Sequence, residues 1–137
     1  MLTRNLQDVV ANTEFHTAWI KVCEFVLHTK PNSKAALFVQ RMLPTEQAIV
    51  ARLARTLRIH DYPANRVQAR QDIITQARKR STPEAILRFI HQGAKQSLQW
   101  YKERCDDPKH HFHDLWVELS EHQGAILADL EEILNIK

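Results

Sequence analysis

Residues 82–101 read TPEAILRFIHQGAKQSLQWY, and the spacing of their apolar side chains decides the fold class. Leu87, Ile90, Ala94, Leu98 and Tyr101 recur at steps of three and four, which places them on one face of a helix. Thr82 is a good N-cap, and Pro83 and Glu84 suit a helix first turn. A second run follows. Asp107 and Pro108 repeat the cap-then-proline signal, and Phe112, Leu115, Leu119, Ile126, Leu130 and Ile133 continue a stripe thickened by Trp116, Leu127 and Leu134. This predicts a helix over 108–135, roughly 40 Å long at about 1.5 Å per residue. Long helices joined by short loops pack as antiparallel neighbours.

Working outward, Phe15, Trp19, Val22, Cys23 and Val26 predict a helix from about Thr13 to His28. Leu6, Val9 and Val10 either extend it or form a short helix before it. Thr29–Ser33 reads as a loop, with Asn32 or Ser33 able to cap the next helix. That helix starts near Lys34 and meets Pro44, which either kinks it or opens a new one. Ile49, Val50, Leu53 and Leu57 carry the stripe onward. His60–Ala64 reads as a break. A polar helix over about 65–80 is anchored only by Val67, Ile73, Ile74 and Ala77, the thinnest stripe of the set.

The chain has 137 residues, 44% hydrophobic and 26% charged, the size and balance of one globular domain spanning 1–137. Only two glycines occur, Gly93 and Gly124, which excludes Gly-rich phosphate and dinucleotide loops. Cys23 and Cys105 form no CxxC pair and no disulfide framework, so they read as free thiols in a reducing compartment. No stretch of about 18 apolar residues occurs, and the N-terminus lacks the apolar core of a signal peptide. A soluble, cytoplasmic protein with no membrane attachment is expected. Charge is uneven: 51–80 hold eight Lys and Arg against two Asp, and 106–137 hold eight acids against two Lys. Such blocks usually form complementary or solvated helix faces.

Residues 82–101, together with Leu115–Leu134, resemble the third and fourth helices of ferritin-like, rubrerythrin-type bundles, and 34–58 resembles that family more loosely. The resemblance implies an all-α fold: an antiparallel four-helix bundle with an additional N-terminal helix. Metal-binding members carry a Glu seven residues before the Tyr, where this chain has Ala94. Their fourth helix carries Glu-x-x-His, where this chain has Gln123 and Ile126. Shifting the register to use His122 puts Leu119 at the Glu position. Glu46 is the one position that matches a ligand, and 65–80 contain neither Glu nor His. The resemblance therefore implies the fold and argues against the iron chemistry usually attached to it. Four helices must supply carboxylates to such a site.

The residues themselves offer several candidates. An iron or manganese site, if present, would draw on Glu46, Glu118 and His122, the last two being i, i+4 neighbours. The cluster His110-His111-Phe112-His113-Asp114 reads as an exposed helix start, because neighbours one and two apart on a helix diverge. His16, His28, His60 and His91 are scattered, and no hemerythrin-like pattern forms. Gly93-Ala94 and Gln123-Gly124 sit mid-helix, where Gly costs about 1 kcal/mol. Close approach of two backbones, or a small pocket, would offset that. Arg66, Arg70 and Arg78, with Lys79 and Arg80, are spaced roughly for one basic face able to touch phosphates, though no aromatic within 66–80 could stack on bases.

The expected function is that of a binding or dimerisation module without a metal, with the apolar residues Trp19, Phe25, Val26 and Leu27 as its interface to a second copy or another protein. The alternatives are a di-metal oxidoreductase using iron or manganese at a non-standard site, and a nucleic-acid-associated protein using helix 66–80.

Overall fold

A computed structural model describes residues 2–136. It is all-helical among these residues. The elements are α1 (Leu2–Thr29), α2 (Lys34–Ile59), a short 3-10 turn (Ala64–Arg66), α3 (Gln71–Arg78), α4 (Pro83–Cys105) and α5 (His113–Leu134). The backbone divides into two compact units, 1–83 and 84–137.

In the first unit α1 is one helix of 28 residues, so Leu6, Val9 and Val10 extend it. The chain turns at Lys30–Ser33. Ser33 caps α2 by accepting from the Ala36 N–H at 3.0 Å, which satisfies one of the donors a helix start leaves open. A four-residue turn between two long packed helices makes them antiparallel. Their register agrees: His16 precedes the end of α1 by thirteen residues, Glu46 follows the start of α2 by twelve, and the two side chains meet. Pro44 does not open a new helix; α2 runs through it. Pro44 lies on the exposed side of α2 with Gln40, the residue whose carbonyl a proline at this position leaves without its helical donor. The helix ends where Asp61 adopts φ 58° and the Tyr62 N–H returns to the Leu57 carbonyl at 2.9 Å.

The expected helix over 65–80 is only partly formed. Arg66 lies in the 3-10 turn, residues 67–70 are not helical, and α3 holds eight residues. The reason is visible in the backbone. The Arg70 N–H donates to the Glu14 carbonyl of α1 at 3.3 Å rather than back along its own chain. Ile73, Ile74 and Ala77 then bury the short helix.

In the second unit α4 begins at Pro83, as Thr82-Pro83 predicts. Helix α5 begins at His113, five residues later than the Asp107-Pro108 signal suggests. The Asp107 carboxylate caps a turn instead, accepting from the Lys109 N–H at 3.0 Å. Contacts then run in opposite directions along α4 and α5: His91 to Glu131, Ser97 to Gln123, and Trp100 to Trp116. The pair is an antiparallel helix hairpin. Asn135, at φ 58°, closes α5 in the left-handed conformation that asparagine tolerates well.

Gly124 does not mark a close crossing. A Cβ built there would meet no heavy atom within 4 Å. The inward residue at this level is Gln123, 2% exposed, which accepts from Ser97 Oγ at 3.0 Å, while Gly93 and Ala94 are buried on α4. Gly124→Ala should therefore stabilise the protein by about 1 kcal/mol, the helix-propensity difference alone. Thermal denaturation should show Tm raised by about 4 °C. A lowered Tm would mean that the space is needed.

Candidate functional site

Two charged-capable side chains on the apolar stripes of α1 and α2 face each other. His16 lies one turn from Trp19 and two turns from Cys23 on the buried face of α1. Glu46 lies between Met42 and Ile49 on the buried face of α2. His16 Nδ1 and Glu46 Oε2 are 2.5 Å apart, and the residues are 0% and 1% exposed. Burying two such polar groups is costly, and the hydrogen bond between them offsets part of that cost. Its local effect is to fix the register of α1 against α2. Cys23, one helical turn past Trp19, is buried as well. Burial, and then the Glu46 and Glu24 carboxylates, push its thiol far above the ordinary range, so it stays protonated.

Glu46 is thus committed to His16. Glu118 and His122, the other members of the expected metal trio, are exposed on α5. Among the described residues, no three His, Cys, Asp or Glu side chains are grouped to hold an ion. The interior is nevertheless not apolar throughout. Asn12, Thr13, His16, Glu46, Thr56, Ser97 and Gln123 are all buried.

The histidine cluster has a different role from the exposed helix start expected of it. Residues 110–112 form a turn, and His110 Nδ1 is approached by two donors, the Phe112 N–H at 3.1 Å and Trp116 Nε1 at 3.3 Å. That nitrogen must offer its lone pair, which places the ring proton on Nε2. His113 Nε2 lies 3.0 Å from the Cys105 carbonyl and donates to it. His111 stays exposed, edge-on to Phe112. His110 and His113 brace the α4–α5 corner, and the three imidazoles do not converge. Behind them Trp116 and Trp100 pack edge-to-face, and the Arg104 guanidinium lies over the Trp100 ring, 3.5 Å from its centroid. An open surface hollow beside Trp100, about 370 Å³, is lined by Lys95, Gln96, Gln99 and Glu103.

The residues expected to form a phosphate-binding face are spread over the 3-10 turn, the segment before α3 and α3 with the residues just after it. Arg66 sits in the 3-10 turn, and Arg70 pairs with Asp72 at 2.6 Å, which holds that carboxyl below the usual range. Arg80 folds back onto Gln76. Only Arg78 and Lys79 remain at the exposed end of α3. Of the residues expected at a dimer surface on α1, Trp19 at 3% exposed and Val26 at 0% lie in the core, while Phe25 and Leu27 are half-buried.

Among the described residues, the large apolar side chains that do stand in solvent are Leu37, 66% exposed, and Ile59, 67% exposed, both on α2. At 3.6 residues per turn they fall within about 40° of one another around the helix axis. Arg41, Pro44, Ala48, Ala51 and Arg55 lie between them on the same exposed strip, with Arg58 at its edge. Helix α2 carries Lys34, Arg41, Arg52, Arg55 and Arg58, and its single acid is Glu46. With that acid turned inward, the outer face of α2 is cationic and apolar with no carboxylate. The signal was present in the sequence as Glu46 falling on the buried stripe. The first unit as a whole holds thirteen Lys and Arg against six acids, and the second six against ten.

No helix among the described residues is long and apolar enough to cross a membrane. Compared with known proteins, the chain matches no family model, no curated sequence and no solved structure.

Proposed function

We propose that this chain is a binding module that acts without a metal, and that it works through the outer face of α2. The observation that carries this is the removal of the only α2 carboxylate into the core, where His16 holds it. What remains outside is a cationic strip about 33 Å long with an exposed aliphatic side chain at each end. Such a face suits an acidic protein surface: charge guides the encounter, and apolar ends reward close packing. A ferritin-like bundle remains the reading of the fold, supported by two long antiparallel helix pairs, the halves from which such a bundle is built. An iron or manganese oxidoreductase is less well supported, since Glu46 is committed to His16 while Glu118 and His122 are exposed. The nucleic-acid reading loses its helix at 66–70.

Binding of fluorescent poly-L-glutamate, read by anisotropy, tests the assignment. Arg55→Glu with Arg58→Glu should weaken it about tenfold. Arg78→Glu with Lys79→Glu makes the same change in net charge on α3 and should weaken it much less. Equal loss in both variants would mean that net charge, not the α2 face, governs binding. Stoichiometric iron or manganese in untagged protein would overturn the metal-free part.

A further inference from the structure

We infer that the partner of the α2 face is α5 of a second copy of this chain, an inference that rests on the α2 reading and names its occupant. Helix α5 is the electrostatic inverse of α2. It contains no Lys or Arg, and its exposed positions include Asp114, Glu118, Glu121 and Glu132. The two outer strips also share a layout. On α2 the exposed order is Pro44, Ala48, Ala51, Arg55; on α5 it is Glu121, Ala125, Ala128, Glu132, with the same steps of four, three and four. Each strip has two alanines at its centre, which let helix axes approach closely; on α5 a glutamate flanks them on each side, and on α2 Arg55 flanks them on one side and Pro44 on the other. Laid along one another, the alanines meet and Arg55 comes opposite a glutamate in either direction.

The same chemistry excludes the other self-pairings. Two α2 faces would set strips carrying Arg41, Arg55 and Arg58 against each other with no carboxylate between them, and two α5 faces would set Glu121 and Glu132 against glutamates. Only α2 on α5 brings opposite charges together, so the α2 surface of one copy meets the α5 surface of the other. Phosphate backbones satisfy the arginines but leave Leu37, Ile59 and the central alanines unused. An acidic helix with small residues at its centre uses both.

Sedimentation velocity on the full chain tests this. The wild type should associate at about 50 mM salt and weaken markedly at about 500 mM, where exposed charges are screened within a few ångströms. Arg55→Glu/Arg58→Glu alone should sediment as a monomer, and so should Glu121→Lys/Glu132→Lys alone. An equimolar mixture of the two should regain association at or near wild-type strength, because the acidic α2 of one meets the basic α5 of the other. Circular dichroism checks that each variant is folded. Association of either variant alone at wild-type strength, or no recovery in the mixture, would overturn the inference. A wild type that stays monomeric at all concentrations, yet loses poly-L-glutamate affinity with the α2 substitutions, would overturn self-pairing and leave the α2 reading standing.

Discussion

Glu46→Ala should lower stability by about 3–5 kcal/mol, among the largest losses available to a single substitution in this chain. The change removes one member of a pair in which both residues are closed to solvent, and leaves His16 on α1 without its partner. A cavity on the buried face of α2, between Met42 and Ile49, adds to the cost. His16→Leu combined with Glu46→Leu should behave differently. Two aliphatic side chains of similar volume need no partner, so the double variant should recover most of what either single variant loses. Denaturant unfolding of the wild type, His16→Leu, Glu46→Leu and the double variant, followed by circular dichroism, gives the four corners of the cycle. Additive losses would mean that the two side chains are not coupled.

Trp116→Ala should have a comparable effect in the second unit, about 3–5 kcal/mol, as for other buried tryptophans. Trp116 is fully buried, lies edge-on to Trp100 with centroids 5.0 Å apart, tilts against Tyr101, and donates its indole N–H to His110. Its loss empties the α4–α5 contact and removes one of two donors that hold the 110–112 turn. Trp116→Phe keeps much of the packing and should cost about 1–2 kcal/mol, the scale of a lost buried hydrogen bond plus a small void. Thermal and denaturant unfolding of both variants checks the order. Equal losses would assign the effect to the hydrogen bond rather than the ring.

Much of the helical architecture is legible along the chain because it depends on local steps. The stripe at Leu87, Ile90, Ala94 and Tyr101, the cap at Ser33 and the start at Pro83 all act within one or two turns. The sequence predicts a helix through 66–70, but the Arg70 N–H is drawn to the Glu14 carbonyl of α1, a contact more than fifty positions away. Asp107 caps a turn as well as it caps a helix, so its signal does not fix where α5 starts. The pairing of His16 with Glu46 spans thirty positions and leaves no spacing rule to find. Its one trace is that both residues interrupt apolar stripes, which a count of scattered histidines passes over. The exposed α2 face follows from that pairing: read as composition, Glu46 belongs to a mixed-charge helix, and read as a structure it does not.

Carbodiimide labelling of carboxylates in the native protein, located by peptide mass spectrometry, examines that inward turn of Glu46 most directly. Glu118, Glu121 and Glu132 on the exposed side of α5 should be labelled readily, while Glu46 should remain unlabelled until the protein is unfolded. Labelling of Glu46 in the folded protein at the rate of the α5 glutamates would put a carboxylate on the outer face of α2 and contradict the account.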